Sequence, residues 1–442
     1  MSKGRWRNRV TLALAAGALS LTACERGPNA APAPPQAAAA PADSAWVQLT
    51  DRGTEARYVT AAAACPAASV DGKPLPMRVR TAPSADFPVT ECAVLLPKGA
   101  SRAEIAGHVL PLPVAEPQRI VIFGDTGCRL KGADIQLCND PKAWPFAQVA
   151  AQVAARHPDL VIHVGDYFYR ENACPADAQG CAGSPHGDNW QTWDADFFTP
   201  AQPLLAAAPW IFVRGNHEDC FRGGPGWLRL LGPLPFDPKA PCQGHLAPYA
   251  VPVGTLNLVV MDDANAPDTS APADLIPVYR KEIAGLASQP SPTWLLLHRP
   301  IWAAAKSPFW STIGDWFGLP AGGNQTIIAA VGNSGIPSPV SLMLAGHIHS
   351  FETINYQERD RVPPQIVAGF GGDRLDPTAS NLNGDVFAGD SDIKVKDGMS
   401  LPGFGFLMMV QTQNGWRLDV HDVNGALERQ CLFRLDRIDC PR

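Results

Sequence analysis

Five apolar runs in this sequence end in residues that bind cations or move protons. Ile120-Val121-Ile122-Phe123 is followed by Gly124-Asp125-Thr126-Gly127, and Leu160 to Val164 by Gly165-Asp166-Tyr167-Phe168-Tyr169. Ile211-Phe212-Val213-Arg214 leads to Gly215-Asn216-His217-Glu218, Trp294 to Leu297 leads to His298-Arg299, and Ser341 to Ala345 leads to Gly346-His347-Ile348-His349. Together they supply carboxylates, a carboxamide, imidazoles and a phenol. Such oxygen and imidazole donors suit Fe, Zn or Mn. Each fragment alone is weak, since Gly-Asp after a strand is usually a turn and a single His-x-His is often a surface accident. Their succession is the signal. The glycines permit tight turns that aim the next side chain outward, so one sheet edge is expected to collect all five groups.

For that to happen, the apolar runs must be neighbouring strands. The runs are Ile120 to Phe123, Leu160 to Val164, Ile211 to Val213, Leu256 to Val260, Trp294 to Leu297, Ser341 to Leu344 and Ile366 to Ala368. Pro145 to His157 and Val278 to Leu286 between them have helix-like composition. The alternation argues for an α/β sheet whose strand-end loops hold function. Phe404 to Leu435 reads as a β-meander with Asn414-Gly415 and Asn424-Gly425 turns. Residues 46–116, with short β-like runs at Arg57 to Thr60, Met77 to Arg80 and Cys92 to Leu96, read as a small β-rich module. One larger domain that carries all five motifs is then expected over 117–442. A content of 46% hydrophobic and 18% charged residues excludes a solvated disordered chain. A net charge of −6 argues against nucleic-acid coating. No apolar run reaches the ~18 residues of a membrane-spanning helix.

In this order the motifs resemble the calcineurin-like metallophosphoesterase superfamily, and within it the purple acid phosphatases, over about residues 118–370. The resemblance implies an α/β (α+β) fold: a β-sandwich flanked by helices, here with the small N-terminal β-rich module. It also implies that Asp125, Asp166, Tyr169 and His349 bind Fe(III). Asp166, Asn216, His298 and His347 would bind a divalent ion (Fe, Zn or Mn), with Asp166 bridging. The wider superfamily has a metal-binding histidine two residues after the first Asp. Here that slot is Gly127, and Tyr169 stands where purple acid phosphatases carry a tyrosinate.

The implied reaction is hydrolysis of a phosphate monoester by metal-bound hydroxide. His217, beside Asn216, would contact the phosphate and protonate the leaving oxygen, with Glu218 orienting it. Glu218 also reads as a simple turn cap. Arg129 and Arg299 are candidate phosphate contacts, and Arg129 reads equally as a surface cation. His163 reads as a satisfied core histidine, and Asp188 and Asp196 as caps or solvated turns. Plant-type relatives carry further substrate-contacting histidines near the His298 motif. Here Arg299-Pro300-Ile301-Trp302-Ala303 follows, with no histidine before His347, which leaves an acidic pH optimum unsupported. The segment 302–338, rich in Trp and Phe, is a substrate lid or a packed insertion. Gly369 to Asp373 resembles a glycine-rich segment that passes close to the site. The rival functions are a phosphodiesterase or nucleotide hydrolase of the same superfamily, and an idle lipoprotein that holds metal or a phospho-ligand. The expected partner is a small phosphate ester; oligomeric state is open.

The N-terminus carries Lys3, Arg5, Arg7 and Arg9 before the apolar run Val10 to Leu21, as a secretory signal does. Leu21-Thr22-Ala23-Cys24 resembles a bacterial lipobox, in which Cys24 is acylated and residues 1–23 are removed. Removing those four cations shifts the net charge from −6 to −10. Residues 24–45 form an Ala/Pro-rich spacer from a membrane surface, which places the protein in the periplasm-facing cell envelope. Ten of the 11 cysteines remain, and they fall in sequence-near pairs: Cys65/Cys92, Cys128/Cys138, Cys174/Cys181, Cys220/Cys242 and Cys431/Cys440. Five local disulfides are expected, as suits an oxidising compartment.

Overall fold

The computed structural model describes residues 43–303, 323–358, 362–387 and 390–441. The expected signal, Cys24, most of the spacer and the 304–322 part of the expected lid lie outside the described residues.

All seven central runs are strands. Arg119–Phe123, Leu160–His163 and Trp210–Phe212 are parallel neighbours within an eleven-stranded sheet. Leu256–Val260, Thr293–Leu296, Val340–Ala345 and Gln365–Ala368 are successive parallel strands of an eight-stranded sheet. Their near-continuous apolar sequences fit strands covered on both faces. One face of each looks inward: Ile120, Ile122, Ile162 and Ile211 pack in one core with Leu258, Val260, Leu296 and Leu344.

Helices cover the outer faces. In Phe146–Ala154 the buried residues Phe146, Val149, Ala150 and Val153 form one stripe. That stripe packs with Val121, Phe123, Val161 and residues of the helix Thr199–Leu205. Leu275–Gly285 and Gln325–Val331 cover the second sheet in the same way. Two sheets flanked by helices is the architecture expected.

The N-terminal segment departs from expectation. Ser44–Thr50 pairs in parallel with Trp210–Phe212, and Gly53–Thr60, Thr90–Leu95 and Arg78–Thr81 continue the same sheet. Only Ala67–Val70, Lys73–Pro76, Ala103–Ile105 and His108–Val109 form a small sheet of their own. The expected module is therefore largely part of the eleven-stranded sheet, and the first strand takes in Ser44 and Ala45 from the expected spacer. At the other side, Gly405–Thr412 pairs antiparallel with Arg119–Phe123 and opens the meander Gly415–Asp422, Leu427–Arg434 and Arg437–Asp439.

Buried charges join the N-terminal strands to the site's supports. Arg57 meets Glu55 and Glu91 at 2.7 Å each, and Arg80 meets Glu91 at 3.2 Å. Arg80 also donates to the carbonyls of Leu228 (2.8 Å), Arg229 (3.1 Å), Gly232 (3.0 Å) and Leu234 (2.6 Å). These include carbonyls that the end of the helix Gly224–Leu230 leaves without partners. All five expected disulfides are formed. Cys220–Cys242 pins the loop that follows His217, and Cys128, Cys138 and Cys181 share a small buried cluster.

Candidate metal centre

Three of the strand-end residues adopt left-handed backbone: Asp125 at φ 56°, Asp166 at 59° and His347 at 70°. For a residue with a side chain this costs roughly 1 kcal/mol or more, and it persists only where neighbours hold it. Here they do. The Asp125 N–H donates to the Gly165 carbonyl and the Thr126 N–H to that of Asp166, both at 2.9 Å, while the His347 N–H donates to Asp125 Oδ2 at 3.0 Å. The strained turns thus lock one another and turn their side chains to a common point.

Two donor groups meet there. In the first, the buried Tyr169 Oη lies 3.1 Å from Asp125 Oδ1, 2.7 Å from Asp166 Oδ2 and 3.0 Å from His349 Nε2. In the second, His298 Nε2 lies 2.9 Å from Asn216 Oδ1 and 3.2 Å from Asp166 Oδ2. His347 joins them: donor atoms of Asp166, His298 and His347 all fall within 4.8 Å of one another. Asp166 belongs to both groups, so the structure brings together all seven residues expected as ligands.

Two glycines make this approach possible. A Cβ on Gly127 would meet the Tyr167 carbonyl at 2.5 Å and Tyr169 Cδ2 at 2.9 Å. No histidine fits where the wider superfamily has one, because Tyr169 fills the space. A Cβ on Gly215 would lie 2.1 Å from both the Asp166 amide nitrogen and Oδ1.

The donor set fits cations. His298 Nδ1 lies 2.7 Å from the Val164 carbonyl and His349 Nδ1 lies 2.7 Å from that of Arg374, contacts that fix a proton on Nδ1 and leave each Nε2 as the nitrogen that faces the site, where a cation would displace its proton. Burial alone would lower the pKa of both imidazoles. The carboxylates override it: Asp166 foremost holds His298 at about 9, and Asp373 together with Asp125 holds His349 at about 10. The site therefore recruits positive charge. Burial and the same carboxylates push the Tyr169 phenol well above its usual value, so it ionises there only against a strong cation.

The acid/base and phosphate candidates need correction. Glu218 does not orient His217. Its carboxylate accepts the N–H groups of Gly215 (2.9 Å), Asp166 (3.1 Å), Tyr167 (2.8 Å) and Phe168 (3.0 Å), and so braces the Asp166 turn. Glu171 instead lies beside His217, with Oε1 2.7 Å from Nδ1. The His217 ring packs on Tyr169 with centroids 3.9 Å apart, and the His217 backbone N–H donates to Asp166 Oδ1 at 2.8 Å. Burial pushes His217 down to about 4, although Asp166 and Glu171 act against it. Arg129 is no free cation: it is bound to Asp373 and its guanidinium carbon sits 4.8 Å over the Tyr169 ring. Arg299 does reach the site, 3.3 Å from His347 Nε2, and is held there by Asp268.

The supporting residues fall as follows. His163 is a satisfied core histidine, 2.9 Å from Thr126 Oγ1 and stacked on Tyr167. Asp196 is a cap but a wholly buried one: it accepts the N–H groups of Tyr169 and Cys128, each at 3.1 Å, and pairs with Arg170. Asp188 caps Gly226 and accepts the Trp193 indole N–H. The backbone of Gly369 to Asp373 does pass close, with the Gly371 N–H on the Gly124 carbonyl and that of Asp373 on the Asp125 carbonyl. Trp302 is buried in the second outer core. Sequence reasoning missed Glu171, Asp263 and Asp268, and gave the Asp373 side chain no role. Asp263 follows the strand Leu256–Val260 as the other site residues follow theirs, and its carboxylate accepts the N–H groups of His298 and Arg299, both at 3.0 Å.

The family model described as calcineurin-like phosphoesterase matches residues 118–351. Solved structures similar in fold include one described as PhoD, with a TM-score of 0.51 at 12% identity over 90% of this chain and 91% of that one. Another is purple acid phosphatase PPD1 from yellow lupin (Lupinus luteus) seeds, with a TM-score of 0.49 at 15% identity over 88% and 74%. No curated protein matches the chain in sequence.

Proposed function

Since the chain belongs to the calcineurin-like phosphoesterase family, whose members are phosphoester hydrolases, we propose that it hydrolyses phosphate monoesters at a dinuclear metal centre. The carrying observation is the Asp166 carboxylate, which touches the Tyr169 group on one side and the His298 group on the other. Asp125, Asp166, Tyr169 and His349 would hold Fe(III), and Asp166, Asn216, His298 and His347 a divalent Fe, Zn or Mn. When bound, the two ions supply Lewis acidity, which acidifies water and neutralises phosphate oxygens.

The chain's own groups do the rest. His217, in its protonated form, delivers a proton to the leaving oxygen, and the Glu171 carboxylate beside Nδ1 favours that form against the burial that holds the imidazole neutral. Arg299 stands beside His347 as the cation for a phosphate oxygen. Glu218 and Asp263 keep the two loops rigid by binding their backbone N–H groups.

The test is turnover of p-nitrophenyl phosphate against its bis ester by metal-loaded protein. Faster turnover of the monoester is expected. Preference for the diester would favour a phosphodiesterase, and no turnover with two metals bound would leave a metal-holding protein. The Tyr169 assignment has its own readout. Wild-type protein carrying Fe(III) is expected to show a visible phenolate charge-transfer band that Tyr169→Phe lacks. An unchanged band in the variant would refute it.

We also place the protein at the periplasmic side of the envelope, anchored through Cys24. Five formed disulfides support an oxidising compartment. Membrane fractionation of the full chain checks the anchor: recovery wholly in the soluble fraction would count against it.

A further inference from the structure

The proposed centre gives His347 a partner that no motif announced. The loop after Leu256–Val260 is tied down twice, by Asp263 on the His298 and Arg299 N–H groups and by Asn324, whose Nδ2 donates to the Ala266 carbonyl at 2.8 Å. This fixes Asp268 in front of the imidazole, with Oδ2 2.9 Å from His347 Nε2. The other oxygen, Oδ1, accepts from Asn324 Nδ2 at 3.2 Å, and Oδ2 also receives Arg299 Nη1. The shorter contact, to the carboxylate, puts the proton on Nε2; Arg299 Nη1, 3.3 Å from Nε2, is drawn there by the same Asp268 oxygen. Nδ1 is then the nitrogen with a free lone pair, available to a cation in the group that His347 forms with Asp166 and His298.

We infer that Asp268 is a positioning residue for the divalent-ion site: it fixes the His347 tautomer and ring angle, and with the same oxygen holds Arg299 at the place where phosphate would bind. Outer carboxylates of this kind set ligand orientation and basicity, and removing them typically weakens metal binding ~10- to 100-fold. Among the described residues no hydrogen bond or ion pair joins Asp268 directly to Tyr169, Asp125 or His349, so the ion of that group is expected to be little affected. The inference rests on the dinuclear reading.

The experiment is metal titration of the full chain, following bound metal by mass spectrometry and the Tyr169 band by visible absorption. Asp268→Ala is expected to bind the divalent ion about 10- to 100-fold more weakly while keeping the ferric band, and to show a raised KM for p-nitrophenyl phosphate. Asp268→Asn retains an accepting oxygen for Nε2–H and is expected within about threefold of wild type. The apo-protein melting temperature of both variants controls for folding. Wild-type divalent affinity in Asp268→Ala would overturn the inference. So would an Asp268→Asn defect as large as that of Ala, since the charge would then be ligating directly. A wild-type protein that takes up only one ion overturns the dinuclear reading itself, and this inference with it.

Discussion

Asp166→Asn is expected to lower kcat on a phosphate monoester by at least about 10³-fold and to lower bound metal below two equivalents. The size follows from what one carboxylate does. Oδ1 accepts the His217 N–H, and Oδ2 faces both the Tyr169 phenol and His298 Nε2. The amide cannot satisfy both sides. If its NH₂ takes the Oδ1 position, it opposes the His217 N–H; if it takes Oδ2, it turns hydrogens toward two cations. A negative charge is lost in either case, in a buried site where such charges act strongly. Each tenfold in rate is about 1.36 kcal/mol, so 10³-fold asks for ~4 kcal/mol, within the several kcal/mol that metal-based charge stabilisation supplies. Rate assays with metal analysis by mass spectrometry check it. Two bound equivalents with wild-type turnover would remove Asp166 from its bridging place.

The second large effect separates His217 from its support. His217→Ala is expected to cut kcat by ~10²- to 10⁴-fold, the usual scale for a general acid, with both metals retained. Glu171→Gln keeps an accepting oxygen near Nδ1 but removes the charge, so a milder loss of roughly tenfold is expected. Glu171→Ala should fall between Gln and the His217 variant. Arg222, which approaches Glu171 at 3.6 Å and also binds the Asn216 carbonyl, keeps that corner from collapsing. Leaving-group dependence is the discriminating measurement. The His217→Ala penalty should be smallest for p-nitrophenol, which departs without a proton, and largest for alkyl esters. An equal penalty for both would mean that His217 binds phosphate but does not protonate the leaving oxygen.

Much of this site was readable because each ligand directly follows a buried apolar strand, and parallel strands deliver their ends to one edge. The glycine at 127 and the tyrosine at 169 read as a pair, and the structure sets them side by side, with the ring 2.9 Å from where a Gly127 Cβ would stand. The partner of His217 was not legible. Adjacency suggested Glu218, yet the tight turn at 216–218 folds that carboxylate back on four backbone N–H groups, while Glu171 arrives from another loop. Asp268 was hidden for a similar reason, eight residues beyond its strand and placed by loop hydrogen bonds that no spacing rule anticipates. In the fold, periodicity revealed which faces are buried but not which strands are partners. The segment 46–116 therefore looked separate, although Ser44–Thr50 pairs with Trp210–Phe212.

That pairing bears on where the molecule can be cut. The family match ends at 118 and 351, yet the trio of strands that carries Asp125, Asp166 and Asn216 is closed on one side by Ser44–Thr50 and on the other by Gly405–Thr412. A fragment trimmed to the matched residues would bare both flanks of the trio as unpaired, flat, apolar strands, the geometry that invites edge-to-edge aggregation. It would also lose Arg57 and Arg80, which donate to the Leu230 (3.3 Å) and Leu228 (2.8 Å) carbonyls at the end of the helix Gly224–Leu230. Expressed alone, 118–351 should elute from gel filtration as aggregate, and a soluble, metal-binding monomer would show the flanks to be dispensable. Sequence kinship and folding unit have different borders here: strands from before and after the family match are woven into the sheet that carries the site, so the site is expected to hold its shape only with both in place.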